Sequence, residues 1–287
     1  MQFRRYFIIL VILMTSNISY SFDGFNFTLI RCDGTIMKSS LASGDSQTKN
    51  KKFIGHVKRG YFYEGNFYAV GLKNNLIKTD INTNTSVPIL NFSTIVDDRY
   101  KLWRVLFVAE KEILVSAYQY NDDEKQPISE QYTYFLFRID LINQTAMDMS
   151  ILDGENDFVS INNGALYYTN NSGEICSYVN GKNIRLGLRG RFPTLSPDGS
   201  IIAYVGENLV WTKVYILNLS TKEHKSVIKF LWKNSVYPLL TWSKEGALLA
   251  VANDSDILPK TIYIIDSKSN KIVKKIKKTH ACAWFFE

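Results

Sequence analysis

Cysteine, proline, histidine and long apolar runs are all scarce in this 287-residue chain. Three cysteines are too few to staple a chain of this length into a disulfide-built scaffold. Six prolines and 16 glycines exclude collagen-like and low-complexity linker architectures. The three histidines, His56, His224 and His280, show no metal-ligand spacing. No stretch of eighteen apolar residues occurs, so no helical membrane span is expected. Gly-x-Ser-x-Gly, Walker and dinucleotide glycine patterns are also missing. What is abundant is aromatic: 17 Tyr, 17 Phe and 5 Trp, or 14%. Hydrophobic residues at 46% and charged residues at 21% are globular values, and the length can bury a sizeable core.

The first segment reads as an export signal. Arg4 and Arg5 precede the apolar run Tyr6 to Met14, which is followed by small and polar Thr15 to Ser21. Nine apolar residues are too few to span a bilayer. Residues 1–21 are therefore expected to be a signal peptide cleaved after Ser21, and residues 22–287 the mature chain, secreted or periplasmic. Losing Arg4 and Arg5 lowers the formal charge from +7 to +5, which gives no argument for a nucleic-acid partner. Export places Cys32, Cys176 and Cys282 in an oxidising compartment, where at most one internal pair can form. Cys32 and Cys282 lie near opposite ends of the mature chain and are the candidate disulfide if those ends meet. The leftover cysteine leaves a covalent dimer open, although a monomer is the expected state.

Helical periodicity is nearly absent, and short β-rich runs alternate with Gly or Asn turns. One internal repeat is explicit. Thr194-Leu-Ser-Pro-Asp-Gly-Ser-Ile-Ile-Ala-Tyr204 aligns with Thr241-Trp-Ser-Lys-Glu-Gly-Ala-Leu-Leu-Ala-Val251. Ser196 precedes Ser243 by 47 residues, and Tyr215 precedes Tyr263 by 48, so two anchors give nearly one period. Each copy joins a turn (Ser196, Pro197, Asp198 and Gly199, or Ser243 with Gly246) to a continuous apolar strand. Polar hairpins at Asn218 to Lys222 and Asp266 to Asn270 follow.

This unit resembles the blade repeat of TolB-like (WD40-like) propellers, whose signature is a Ser-Pro-Asp-Gly turn before an apolar strand. Ser196 to Gly199 matches in full and Ser243 to Gly246 is degenerate; beyond residues 191–276 the resemblance rests on spacing. It implies an all-β, single β-propeller. Weaker copies place further blades at 60–80, 102–140 and 161–178. The 266 mature residues divide into six blades of about 44. The remaining strands, residues 25–41 and 281–286, are expected to close the ring together. Two stacked sandwiches are the alternative. A full TolB protein carries a further N-terminal domain, so its partner contacts are not transferred.

The functional expectation is a non-enzymatic binding or scaffold propeller that presents a ring face to a protein or glycan partner, with no cofactor and no metal. The alternative is a glycan-acting hydrolase or lyase with carboxylates in the channel. The acidic clusters are Asp97-Asp98, Asp122 to Glu124, Asp153/Glu155/Asp157 and Asp254/Asp256. None supplies a favoured catalytic pair, and the calcium-like spacing from Asp153 lacks the glycine and glutamate such a loop needs. The dense run Tyr61, Phe62, Tyr63, Phe67 and Tyr68 is the aromatic candidate for the ring face. The tryptophans are expected between blades. Five lysines in Lys271 to Lys278 suit a protected outer strand. Seven Asn-x-Ser/Thr sites follow the signal and matter only in a eukaryotic source.

Overall fold

Alternation of apolar and polar residues over five to nine positions, punctuated by turn residues, gives strands throughout, and the strands pair with their sequence neighbours. The computed structural model describes residues 26–31, 35–40, 46–52, 60–83, 85–120, 132–150, 154, 159–162, 164–207, 211–231, 239–252, 260–279 and 281–286. The signal segment, Cys32, His56, His280, Trp232 and all of the acidic clusters except Asp97-Asp98 lie outside them.

Every sheet is four-stranded and antiparallel. The first three strands are β1 (Asn26–Arg31), β2 (Thr35–Ser40) and β3 (Ser46–Lys52). Blade I contains β4 (Tyr61–Tyr63), β5 (Asn66–Val70), β6 (Asn75–Asp80) and β7 (Thr85–Asn91). Blade II contains β8 (Tyr100–Val108), β9 (Glu112–Tyr120), β10 (Tyr132–Asp140) and β11 (Thr145–Asp148). Blade III contains β12 (Ser160–Asn162), β13 (Ala165–Thr169), β14 (Glu174–Val179) and β15 (Lys182–Arg189). Blade IV contains β16 (Arg191–Leu195), β17 (Ile201–Glu207), β18 (Trp211–Asn218) and β19 (His224–Leu231). Blade V contains β20 (Leu239–Trp242), β21 (Leu248–Ala252), β22 (Lys260–Asp266) and β23 (Lys271–Thr279). A last strand, β24 (Ala281–Phe286), pairs with β1 in the order β24-β1-β2-β3.

The molecule is an all-β single propeller. Five blades, against the six expected from length, are each one continuous stretch of chain. The remaining sheet is assembled from both ends of the chain. The first strands of successive blades are neighbours around the axis: β4 beside β8, then β12, β16 and β20, with β24 beside β20. The lysine-rich β23 is the outer edge of blade V, where charge discourages pairing with another chain.

The core lies between blades. Leu102, Val105, Val115 and Phe137 of blade II meet Tyr68, Val70, Leu90 and Phe92 on the blade I side. Leu114 and Leu136, on the opposite face of the same strands, meet Leu166, Tyr168 and Cys176 of blade III. Blade II therefore buries both faces, and burial on both faces likewise accounts for the uninterrupted apolar runs at Ile202–Val205 and Leu248–Ala252.

The repeat turn is built by its serine. Ser196 Oγ accepts a hydrogen bond from Ile201 N at 2.9 Å and donates to Asp198 Oδ1 at 2.6 Å. Ser243 Oγ accepts from Leu248 N at 3.0 Å, so the degenerate copy keeps the fold of the turn without the aspartate. Gly199 and Gly246 adopt φ of 73° and 69°, the left-handed region that favours glycine. The two turns touch: a Cβ on Gly246 would lie 3.5 Å from Pro197 Cδ. Trp242 ties the same blades together, its Nε1 donating to Thr194 O at 3.1 Å.

A second recurrent device caps the hairpins between third and fourth strands. Asp80 Oδ1 accepts from Asn82 N and Thr83 N, and Asp140 Oδ1 from Ile142 N and Asn143 N. Asn218 and Asp266 do the same for Ser220, Thr221 and Ser269. These bonds hold the carboxyls of Asp80 and Asp140 below the ordinary aspartate range, and the Ser196 and Ser200 hydroxyls do so for Asp198. A depressed folded pKa stabilises the fold above the unfolded value, near 4, and that stabilisation disappears as pH falls through the folded value. The melting temperature is expected to hold between pH 7 and 5 and to fall steeply below about pH 4. Thermal melts across that range check it, and Asp198→Asn should flatten the acid limb.

Candidate binding surfaces

The connections between second and third strands of each blade define one end of the ring, here the upper end. The turns between first and second strands, Ser196 to Gly199 among them, define the lower end. Two clusters of functional side chains approach the upper end.

The first is a ladder of rings on blade II. Strand alternation points Tyr118 and Tyr120 of β9, and Tyr132 and Tyr134 of β10, to one face. In register, Tyr132 lies opposite Tyr120 and Tyr134 opposite Tyr118. Trp103 joins them from β8, where a register shift between Leu102 and Arg104 makes it the extra residue of a bulge. Ring centroids are 5.4 Å apart for Tyr120–Tyr132, 5.4 Å for Tyr118–Tyr132, 5.7 Å for Trp103–Tyr118 and 5.6 Å for Trp103–Tyr134. Edge contacts of this kind contribute about 1 kcal/mol each and fix the rings relative to one another. The ladder ends in the open, with Tyr120 49% and Tyr132 38% exposed.

The second cluster lines a cleft of about 320 Å³ between β15 and the face of blade IV. Tyr204, Tyr215 and His224 form three nearly parallel rings: Tyr204 and Tyr215 are 5.3 Å apart at 18°, Tyr215 and His224 4.9 Å at 27°. Tyr204 Oη and His224 Nε2 are hydrogen-bonded at 2.5 Å. Burial, and then the neighbouring Tyr215, pushes the Tyr204 hydroxyl up to about 12, so it stays protonated. Gly206 makes room for the Tyr215 ring: a Cβ there would lie 2.6 Å from Tyr215 Cε2. Trp211 closes the upper side beneath Lys229, whose Nζ lies 3.5 Å from the ring centroid. Arg189 and Lys213 supply positive charge, and among the described residues no carboxylate lines the cleft.

Of the residues singled out in the sequence, the turn residues sit together at the lower end, away from both clusters. Cys176 is a buried thiol in the core between blades II and III. The pairing of Cys32 with Cys282 concerns side chains outside the described residues. The run Tyr61 to Tyr68 does not provide the open aromatic surface expected of it: Phe67 and Tyr68 are buried, because β5 is a second strand packed on both faces. Trp242 packs between blades as expected, whereas Trp103 and Trp211 belong to the two clusters. His224, read from sequence as an ordinary hairpin residue, lies in the cleft. Asp97 is held by Arg99 in its own turn. Among the described residues no three His, Cys, Asp or Glu side chains converge as a metal site, and no helix is long and apolar enough to cross a membrane.

No family model matches the sequence, and no curated protein matches it by sequence. Solved structures do. TolB from Acinetobacter baumannii superposes with a TM-score of 0.59 at 16% identity, over 91% of this chain and 66% of that one. The chain has the fold of a TolB-like β-propeller. It spans just under two thirds of that TolB chain. A chain from a nidogen/laminin complex gives 0.59 at 12% identity, covering 92% of this chain and 98% of that one. An oligogalacturonate lyase in complex with manganese gives 0.53 at 11%, over 85% and 70%. At these identities the likeness establishes the TolB-like propeller fold alone.

Proposed function

We propose that this TolB-like propeller is an exported binding module, closed by the β24-β1-β2-β3 sheet as a sixth blade, whose upper end docks a protein partner. The observation that carries this reading is the blade II ladder. Five aromatic side chains in mutual contact run from the inner strand outward and end in two exposed tyrosines. Packed Tyr and Trp present large contact area with little entropy left to lose, which is the pattern of interface hot spots. The carboxylates Asp80, Asp140, Asp198 and Asp266 cap turns, a structural use that favours binding over acid–base chemistry. The export segment and the TolB-like fold together favour a cell-envelope or extracellular partner.

The test is capture from the native envelope or secreted fraction with the tagged mature chain. A stoichiometric protein should be retained, and Tyr120→Ala/Tyr132→Ala should lower its affinity at least tenfold while the melting temperature falls by only about 5 °C, the cost of the two lost ring contacts. Equal retention by the double variant refutes the ladder as the docking site.

A further inference from the structure

The cleft between blades III and IV carries positive charge that no described carboxylate lining it balances. Lys213 of β18 and Lys229 of β19 are directly opposed in register, a like-charge pair that costs stability on a sheet face. Lys229 is accommodated over the Trp211 ring. The Lys213 ammonium forms no ion pair among the described residues and points, by alternation with Trp211 and Tyr215, to the face that lines the cleft. Arg189 approaches from blade III. Between these cations the floor is aromatic, and the Tyr204 hydroxyl and His224 imidazole give it a polar edge.

We propose that this cleft binds a carboxylate-bearing pyranose, a uronic acid unit of an acidic glycan, with its carboxylate on Lys213 and Arg189 and its C–H face on Tyr215. Aromatic faces carry negative charge density and receive the weakly positive C–H edges of a sugar ring. Lysine and arginine supply charge-assisted hydrogen bonds to the carboxylate. Hydroxyl and imidazole groups at the floor's edge exchange hydrogen bonds with ring hydroxyls. The volume sits at the lower end of the range for small-ligand cavities, which suits one or two sugar units. The site is separate from the blade II ladder and does not depend on it.

The test uses sodium D-galacturonate, sodium D-glucuronate, their linear trimers and D-glucose, titrated into the mature protein. Trp211 fluorescence and calorimetry are the readouts. One uronate should bind saturably with Kd of the order of 1 mM as a single ring and more tightly as the trimer, weakening as salt rises. Glucose should bind at least about tenfold more weakly. Lys213→Gln and Arg189→Gln should each cost about tenfold for uronate and nothing for glucose, with melting temperatures no lower than that of the parent protein. Both replacements lie on solvent-accessible strand faces, so folding is not at stake. Tyr215→Leu should weaken every sugar.

Absence of saturable binding by either uronate or its trimer overturns the proposal. So does equal affinity for glucose and uronate, or uronate binding that Lys213→Gln leaves unchanged. Benzoate and inorganic phosphate are run alongside. Binding of either in preference to uronate would assign the cleft to a different anion and refute the sugar.

Discussion

Trp242→Ala is expected to lower stability by about 4 kcal/mol, the cost of emptying a large buried aromatic site. Trp242 is 8% exposed and packs among Ala203, Val214, Phe230 and Leu249, at the contact between blades IV and V. Its indole also donates to Thr194 O, a backbone carbonyl of the preceding blade, and that acceptor would lose its partner. A change of this size in a domain of this length should lower the melting temperature by about 10 °C. Trp242→Phe keeps most of the volume but loses the donor and should cost about half as much. Urea unfolding of both variants checks the order. A change below about 1 kcal/mol for alanine would mean that this contact does not hold the two blades together.

The second large effect concerns how the ring is fastened. In β1 and β24, Ile30 lies opposite Ala283 and Arg31 opposite Ala281, so Cys282 is the extra residue of a bulge and Cys32 is the residue that follows Arg31. The proposed Cys32–Cys282 disulfide would tie together positions 250 residues apart in the sequence. Bridging so long a loop constrains the unfolded chain strongly, by about 5 kcal/mol in a loop-entropy treatment. Denatured mature protein is therefore expected to titrate as one thiol, that of Cys176. Reductant should lower the unfolding midpoint, and Cys282→Ser should lower it as far. Three titratable thiols in protein purified without reductant would refute the pairing.

The parts of the fold that recur locally were legible in the sequence. Ser196-Pro-Asp-Gly is a self-contained device, with serine, aspartate and glycine each satisfying neighbours within five residues, so it shows without tertiary context. The meeting of residues 281–286 with 26–40 was also legible, because strands short of a blade at each end need a partner. The two surfaces were less so. Tyr118, Tyr120, Tyr132 and Tyr134 alternate with period two, a signal for a shared face, but the denser run near Tyr61 drew the reading. Density there reflects burial of Phe67 and Tyr68 in the core. The cleft left no local trace: Arg189 and His224 meet only because one blade packs against the next.

The β1–β24 pairing also bears on how the protein is made. Phe27 lies opposite Phe286, so β1 takes as its partner a strand that follows all five contiguous blades in the sequence. Blades I to V can each pair from nearest neighbours, a fast and local process. Closing the ring must wait for β24, and until then β1 presents an unpaired edge, the kind that recruits strands from other chains. If the proposed export leader delays folding, it would guard this protein against intermolecular pairing as well as direct its traffic.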